Sequence, residues 1–221
     1  MPVVFNGLNR NGSPLDCICL ILFAFLVPLC VLIPHSHPLF FIPLLDSFFS
    51  MQVNGKNYHT IWVHPDNNKI IQVIDQRKLP FEFQVLDLMS ATDTFEAIQN
   101  MTVRGAPLIG VTGAYGVYLG LVNSEDDTWK TALIRNAGYL KSARPTAVNL
   151  ALLIDELLSK LVNCISLEQA CNISFQEANR MRNREIEWSE AIGDYGCELI
   201  EAISKNKNGA PVNILTHCNA G

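Results

Sequence analysis

Charged residues are almost absent from the first 50 positions of this chain of 221 residues. Only three of the 37 charged side chains precede Met51, and the other 34 lie in residues 51–221. A folded core needs a charged, solvated surface around it, and only the part from residue 51 has an ordinary globular composition. The chain therefore divides into an apolar leader, residues 1–50, and a body, residues 51–221, which is long enough for a core.

The leader contains a charge-free run of 29 residues from Cys17 to Leu45. A membrane-spanning helix needs about 20 apolar residues, but prolines such as Pro28 and Pro34 interrupt this run. Three interpretations stay open: a membrane anchor, a cleaved targeting segment, or translated upstream sequence that does not belong to the fold. The weakly basic start and the missing cleavage motif disfavour the second. We favour the third, with the fold beginning at Met51 and no membrane partner.

The charge and cysteine content narrow the classes of partner. The formal net charge is −5 and the sequence pI is about 5.5, whereas broad nucleic-acid surfaces are basic. The four cysteines of the body show no CxxC or other metal-ligand spacing. We therefore expect neither a nucleic-acid partner nor a metal site.

The first part of the body has the pattern of a β-meander. Residues 58–63 and 69–75 are rich in β-forming residues and flank the turn sequence Pro-Asp-Asn-Asn at 65–68, which predicts a hairpin. Residues 81–86 alternate in polarity and predict a third strand.

Helical patterns dominate the rest of the body, and Thr92 or Asp93 is the expected cap of the first helix. The second helix carries four glycines, each of which costs about 1 kcal/mol inside a helix, so a neighbouring element is expected to approach its backbone closely. A break near Gly193 or Gly196 is expected in the last helix. The predicted helices cover residues 93–101, 107–122, 127–141, 145 onward, and 167–205.

The last ten residues predict the start of a second domain. Residues 212–215 have the pattern of a short buried strand, and a loop that ends in glycine follows. Such a pair usually feeds a helix and a parallel strand. We therefore expect an α/β protein with an apolar leader at 1–50, a β-meander plus α-helical domain at 51–209, and the first strand of a truncated Rossmann-like domain at 210–221.

Two arginines stand directly before proline-started helical patterns. Arg104 precedes Gly105, Ala106 and a proline, and Arg144 likewise precedes a proline. A helix start offers free N–H groups and a positive dipole end, and arginine adds a bidentate cation. Two such sites in one domain suggest one anionic ligand held between two helix starts. Plain turns with ordinary helix initiation remain the alternative.

A third candidate is Cys218, beside His217 in the loop after the predicted last strand. Open α/β sheets bind ligands beyond the carboxyl ends of their strands. A cysteine there could act as nucleophile, acid or base, with His217 adjusting its pKa. A buried structural thiol remains equally open.

Several long motifs together resemble the methylthioribose-1-phosphate isomerase family. The resemblance runs from about Tyr58 to Gly221, and the motifs lie at 74–80, 101–110, 143–150, 192–196 and 214–221. Related families are the ribose-1,5-bisphosphate isomerases and the regulatory alpha, beta and delta subunits of the translation initiation guanine-nucleotide exchange factor. The motifs around Arg144 and Cys218 favour the isomerase.

The resemblance implies an aldose–ketose isomerase of methionine salvage. Its substrate would be 5-methylthioribose 1-phosphate and its product 5-methylthioribulose 1-phosphate, with no cofactor. It implies substrate binding by Arg104, Gly105, Ala106 and Arg144, and a catalytic Cys218 that stabilises the transition state or transfers protons. It also implies a cytoplasmic or nuclear location and a homodimer.

The family's catalytic aspartate, a substrate-binding glutamine and an Asn-Lys pair come after the position of Cys218 and fall past Gly221. We therefore expect these 221 residues to be an inactive fragment whose dimerisation is in doubt. The alternative function is a non-enzymatic regulatory subunit like those of the exchange factor.

Overall fold

The computed structural model describes residues 51–53, 55–208 and 210–215. The leader and the Cys218 loop lie outside the described residues, so the interpretations of both remain predictions. Gln52–Ile186 form one compact unit, and the described residues from Glu187 onward belong to a second. Within the described ranges, no helix is both long and apolar enough to cross a membrane.

The body begins with two small sheets, of which the three-stranded one is antiparallel. The predicted hairpin and meander are confirmed as a three-stranded sheet in the order β3-β4-β5, although β5 begins four residues later than expected. The pair β1-β2 before it was not predicted. One face of the meander is apolar, with Ile71 and Val73 fully buried. The strands are β1 (Met51–Val53), β2 (Lys56–Tyr58), β3 (Ile61–His64), β4 (Asn67–Ile74) and β5 (Val85–Leu88).

In the described part of the chain, five helices follow the meander, so the coarse expectation of a small sheet with a helical part is confirmed. The predicted N-cap of the first helix, Thr92 or Asp93, is wrong, because Ser90 is the N-cap. The hydroxyl of Ser90 accepts the N–H of Asp93 at 3.1 Å, and the Asp93 carboxylate accepts the N–H of Met89 at 2.9 Å. This reciprocal capping satisfies two backbone donors at once. The helices are α1 (Ala91–Gln99), α2 (Ala106–Val122), α3 (Trp129–Ser142), α4 (Val148–Leu161) and α5 (Leu167–Asn206).

Two further expectations about the last 40 residues fail within the described part of the chain. α5 passes Gly193 and Gly196 without a break, because glycine weakens a helix but does not forbid helical geometry. Residues 212–215 form no strand element, and Ile214 and Leu215 are 53% and 60% exposed. Ile214 forms an isolated β-bridge, so the predicted strand is reduced to a single bridge residue within the described part of this segment.

α2 is the central helix of its unit, with residues 108–121 all buried. A Cβ built on Gly110 or Gly113 would meet α4, at 2.8 Å from Leu153 and 2.5 Å from Leu150 respectively. A Cβ on Gly116 would meet α1 and α3. The predicted close approach to the glycines of this helix is therefore confirmed.

The first half of α5 is tied to the same unit by polar contacts. The Tyr115 hydroxyl donates to the Asn179 side chain at 2.9 Å, and Arg182 donates to the carbonyl of Ile61 in β3 at 2.9 Å. Glu156 of α4 accepts bonds from two α5 arginines. These contacts fix the helices against which the candidate site is built.

Candidate functional site

The start of α2 is shaped by Gly105. This residue is the N-cap and has a φ of 97°, a conformation that only glycine adopts at little cost. No side chain caps the helix, and Pro107 lies in its first turn. The N–H groups of a first helical turn have no partner within the helix, so the uncapped start of α2 presents backbone donors at the positive end of the helix dipole.

Arg104 is fixed beside this helix start by the backbone of the turn after β4. Its Nη2 donates to the carbonyl oxygen of Gln76 at 2.5 Å, and the N–H of Gln76 donates to the Thr102 carbonyl at 3.0 Å. The Nε of Arg104 is buried and has no hydrogen-bond partner among the described residues. An unsatisfied buried donor costs about 1–3 kcal/mol, so a bound anion would relieve this cost.

Arg144 lies in a turn directly before α4. The N–H of Ala147 donates to the Arg144 carbonyl at 2.9 Å, and Ala147 is a non-helical N-cap with no side-chain cap bond. α4 therefore begins at Val148, three residues later than the proline at 145 predicted, because residues 144–147 form a turn of their own. This second helix start is also uncapped.

The two helix starts are brought together by Gly110. A Cβ on Gly110 would lie only 2.9 Å from the carbonyl oxygen of Asn149, the second residue of α4. Gly110 lies five residues after Gly105, which is about 7.5 Å along the axis of α2. The start of α4 thus packs against α2 about one and a half helical turns after the start of α2, as measured along the α2 axis, and the turn that carries Arg144 leads directly into α4.

Asp75 and Gln76 are site residues that sequence reasoning missed. Asp75 is 1% exposed and accepts two bonds from the Arg77 guanidinium, at 2.8 and 2.7 Å. Hydrogen bonding from Arg77 lowers the pKa of the Asp75 carboxyl, which therefore stays ionised. The available signal was an acidic residue directly after an apolar strand, with an arginine two positions later.

The described residues offer little for metal or thiol chemistry. Within them, no group of three or more His, Cys, Asp or Glu side chains is placed to hold a metal ion. Burial raises the pKa of the Cys164 and Cys171 thiols, which makes both poor nucleophiles. Cys218 lies outside the described residues, so its catalytic role remains a prediction.

Comparison with known proteins assigns the family. Residues 102–221, more than half of the chain, match the model of the Initiation factor 2 subunit family. The chain belongs to this family. It is 42% identical over 172 residues to a methylthioribose-1-phosphate isomerase of Desulfatibacillum aliphaticivorans, a match that covers 77% of this chain and 47% of the relative. The isomerase of the same name from Escherichia coli is 42% identical over 173 residues, covering 77% of this chain and 45% of the relative.

Two solved structures share the fold of this family member. The translation initiation factor eIF-2B, subunit delta, from A. fulgidus matches with a TM-score of 0.54 and 32% identity, covering 58% of this chain and 37% of that one. The 5-methylthioribose 1-phosphate isomerase from Pyrococcus horikoshii matches with a TM-score of 0.53 and 31% identity, covering 57% and 36%. The family resemblance is confirmed, and the chain spans about half the length of the curated relatives it matches.

Proposed function

We propose that the full-length protein is a methylthioribose-1-phosphate isomerase, and that the starts of α2 and α4 hold the phosphate of its substrate. The observation that carries the proposal is the contact between Gly110 and the Asn149 carbonyl, because it brings together two uncapped helix starts, each preceded by an arginine. The names of the relatives at 42% identity support the choice of reaction.

The proposed binding residues are Arg104, Gly105, Ala106 and Arg144. A sugar phosphate is an anion, and an uncapped helix N-terminus with an adjacent arginine is suited to bind one. Because Arg104 is held by a neutral carbonyl rather than by a carboxylate, its positive charge remains available to the ligand.

The phosphate on C1 determines the chemistry that the site must perform. With C1 substituted, the sugar cannot open as a free aldehyde, so the ring must open with the phosphate attached before hydrogen moves from C2 to C1. The two arginines would hold the phosphate through this change. Cys218 would stand beside the reacting carbons as acid, base or transition-state stabiliser, and a site that excludes water would keep the transferred hydrogen from exchanging.

The domain organisation is part of the same proposal. A β-meander and helical domain over 51–209 would supply the phosphate contacts, and a Rossmann-like domain beginning at 210 would supply the catalytic groups. More than half of each curated relative lies outside its match to this chain. We therefore propose that the 221 residues alone do not turn over the substrate.

The test is an isomerase assay on the full-length protein, with product formation followed by phosphorus NMR. Arg104→Ala and Arg144→Ala each remove a charge-assisted contact, so each is expected to lower kcat/KM roughly 10- to 100-fold, mainly through KM. Arg135, an exposed arginine of α3, provides the matched control, and Arg135→Ala should leave both constants unchanged. Cys218→Ser is expected to lower kcat instead. A full-length protein that shows no turnover refutes the proposed reaction.

A non-enzymatic subunit is the second candidate, because the initiation factor subunit matches the fold as well as the isomerase does. The two are separated by calorimetry with the same sugar phosphate. Binding that is abolished by Arg104→Ala, combined with no turnover by the full-length protein, would favour a ligand-sensing subunit.

A further inference from the structure

An ion pair between a buried acid and a partly exposed arginine lies directly next to the residue that anchors Arg104. Asp75 is 1% exposed, and its carboxylate accepts the backbone N–H of Arg77 at 3.1 Å as well as the Nε and Nη2 of the same residue at 2.8 and 2.7 Å. Such a fork between guanidinium and carboxylate fixes orientation as well as charge. The Arg77 side chain is 42% exposed, so the carboxylate of the pair is buried while its guanidinium reaches the solvent.

The pair encloses Gln76, whose backbone makes two contacts with the loop before α2. Its N–H donates to the Thr102 carbonyl at 3.0 Å, and its carbonyl accepts the Arg104 guanidinium at 2.5 Å. The Asp75 carboxylate accepts the Arg77 N–H, and this N–H lies in the same planar peptide unit as the Gln76 carbonyl. The bond therefore fixes the direction in which the Gln76 carbonyl points. The orientation of Arg104 therefore depends on a carboxylate that does not touch it.

The distribution of charge in this cluster supports the same dependence. The negative charge of Asp75 is compensated by Arg77, whereas Arg104 donates to the neutral carbonyl of Gln76. If the fork opened, Asp75 would be a buried carboxylate without its cation, which is unfavourable. Opening the fork would also release the Arg77 N–H from Asp75, and with it the orientation of the Gln76 carbonyl that holds Arg104.

We propose that Asp75 is a positioning residue, which acts through the Gln76 carbonyl to orient Arg104 toward the phosphate of the substrate. This inference rests on the proposed function, because it assumes that Arg104 binds phosphate.

The experiment is a double-mutant cycle in the full-length protein, with kcat and KM measured for 5-methylthioribose 1-phosphate. Asp75→Asn keeps the shape of the side chain and removes its charge. It is expected to raise KM on the order of tenfold, the cost of one weakened charge-assisted contact, and to leave kcat nearly unchanged. Arg104→Lys should raise KM by a similar factor, and the double variant should be no worse than the poorer single one.

A matched control comes from a remote ion pair. Asp155, which is 60% exposed, pairs with Lys141, and Asp155→Asn should leave KM unchanged. Should Asp75→Asn fail to fold, Arg77→Lys takes its place in the cycle, since lysine keeps the charge but loses the fork. It is expected to raise KM by a smaller factor, again without adding to Arg104→Lys.

The outcomes separate the inference from the proposed function. If Arg104→Lys raises KM and the effect of the Asp75 or Arg77 variant multiplies with it, the inference is wrong while the phosphate site stands. If Arg104→Lys itself leaves KM unchanged, the proposed phosphate site is wrong and the inference fails with it. Loss of kcat at constant KM in Asp75→Asn would also refute a positioning role.

Discussion

Replacing Gly110 by alanine would add a Cβ at the closest contact between α2 and α4. That atom would lie 2.8 Å from Leu153 Cδ1, 3.1 Å from Leu153 Cγ and 2.9 Å from the Asn149 carbonyl oxygen. The leucine is buried and has little space to rotate. The carbonyl belongs to the backbone at the start of α4, so it can yield only if the helix itself moves.

The sign of the stability change follows from two opposing effects. Alanine is favoured over glycine inside a helix by about 1 kcal/mol, whereas adding a methyl group to a packed core costs typically about 1–3 kcal/mol. Because one of the clashing atoms is backbone, we expect the cost at the upper end and a net destabilisation of about 1–2 kcal/mol. For a body of this size that corresponds to a fall in Tm of about 2–8 °C.

Gly138 is the matched control, because it also lies inside a helix but a Cβ built there meets nothing within 4 Å. Gly138→Ala should therefore report only the difference in helix propensity between glycine and alanine, and raise the free energy of unfolding by up to about 1 kcal/mol. Urea denaturation followed by circular dichroism measures both variants on the full chain. If Gly110→Ala stabilises the protein as much as Gly138→Ala does, the close approach of α4 to α2 is refuted.

Three further predictions follow from the described contacts. Gly116→Ala, whose new methyl group meets α1 and α3, should lower the urea midpoint. A midpoint that rises as in Gly138→Ala would contradict the close packing of α1 and α3 against α2. Burial raises the pKa of Tyr115 to about 12, whereas the pKa of an unfolded tyrosine is about 10, so the free energy of unfolding should fall between these two pH values. Tyr115→Phe loses the hydrogen bond to Asn179 and should cost about 1 kcal/mol. In alkaline denaturation curves this variant should show a flatter fall than the wild type. Hydrogen bonds from Arg184 and a second arginine lower the pKa of Glu156. The stabilising effect of this carboxylate is therefore present above about pH 4.3, the pKa of an unfolded glutamate, and is lost as the pH falls through the lower pKa of the folded state. If the stability of Glu156→Gln falls as steeply with acid as that of the wild type, this prediction is refuted.

The four glycines of α2 show how far local sequence reasoning reaches. Each one is unfavourable in an isolated helix, so four of them within 11 residues predict that something packs against the helix backbone. The sequence does not say which element this is. Gly110 and Gly113 face α4, whereas Gly116 faces α1 and α3, and that division is set by the tertiary arrangement.

The errors at helix boundaries have a common physical origin. A proline after Arg144 fits the first turn of a helix and equally fits the second position of a β-turn, and the structure uses the turn. Ser90 was missed because Thr92 and Asp93 are equally good caps by residue type, and only the geometry shows whose hydroxyl reaches the Asp93 N–H. Local preferences name the candidates, and contacts with the rest of the fold select one.

The anchoring of Arg104 could not be predicted, because its partner lies 28 residues earlier in the chain. The candidate arginines were visible from the sequence, since arginine before a proline-started helix is a local pattern. The Gln76 carbonyl that holds Arg104 is a backbone atom and carries no residue-type signal. Asp75 gave a weak signal, but its meaning depends on the turn that joins β4 to the loop before α2.

The packing of α2 also bears on the strength of the proposed phosphate site. Residues 108–121 are all buried, so the peptide dipoles of this helix are surrounded by protein rather than by water. Electrostatic interactions are screened less in such an environment, so the attraction between the positive end of the helix and an anionic ligand would be weakened less by solvent. The close approach that the glycines permit excludes solvent from the helix, so the packing that determines the core would also strengthen the attraction for an anion at the proposed phosphate site.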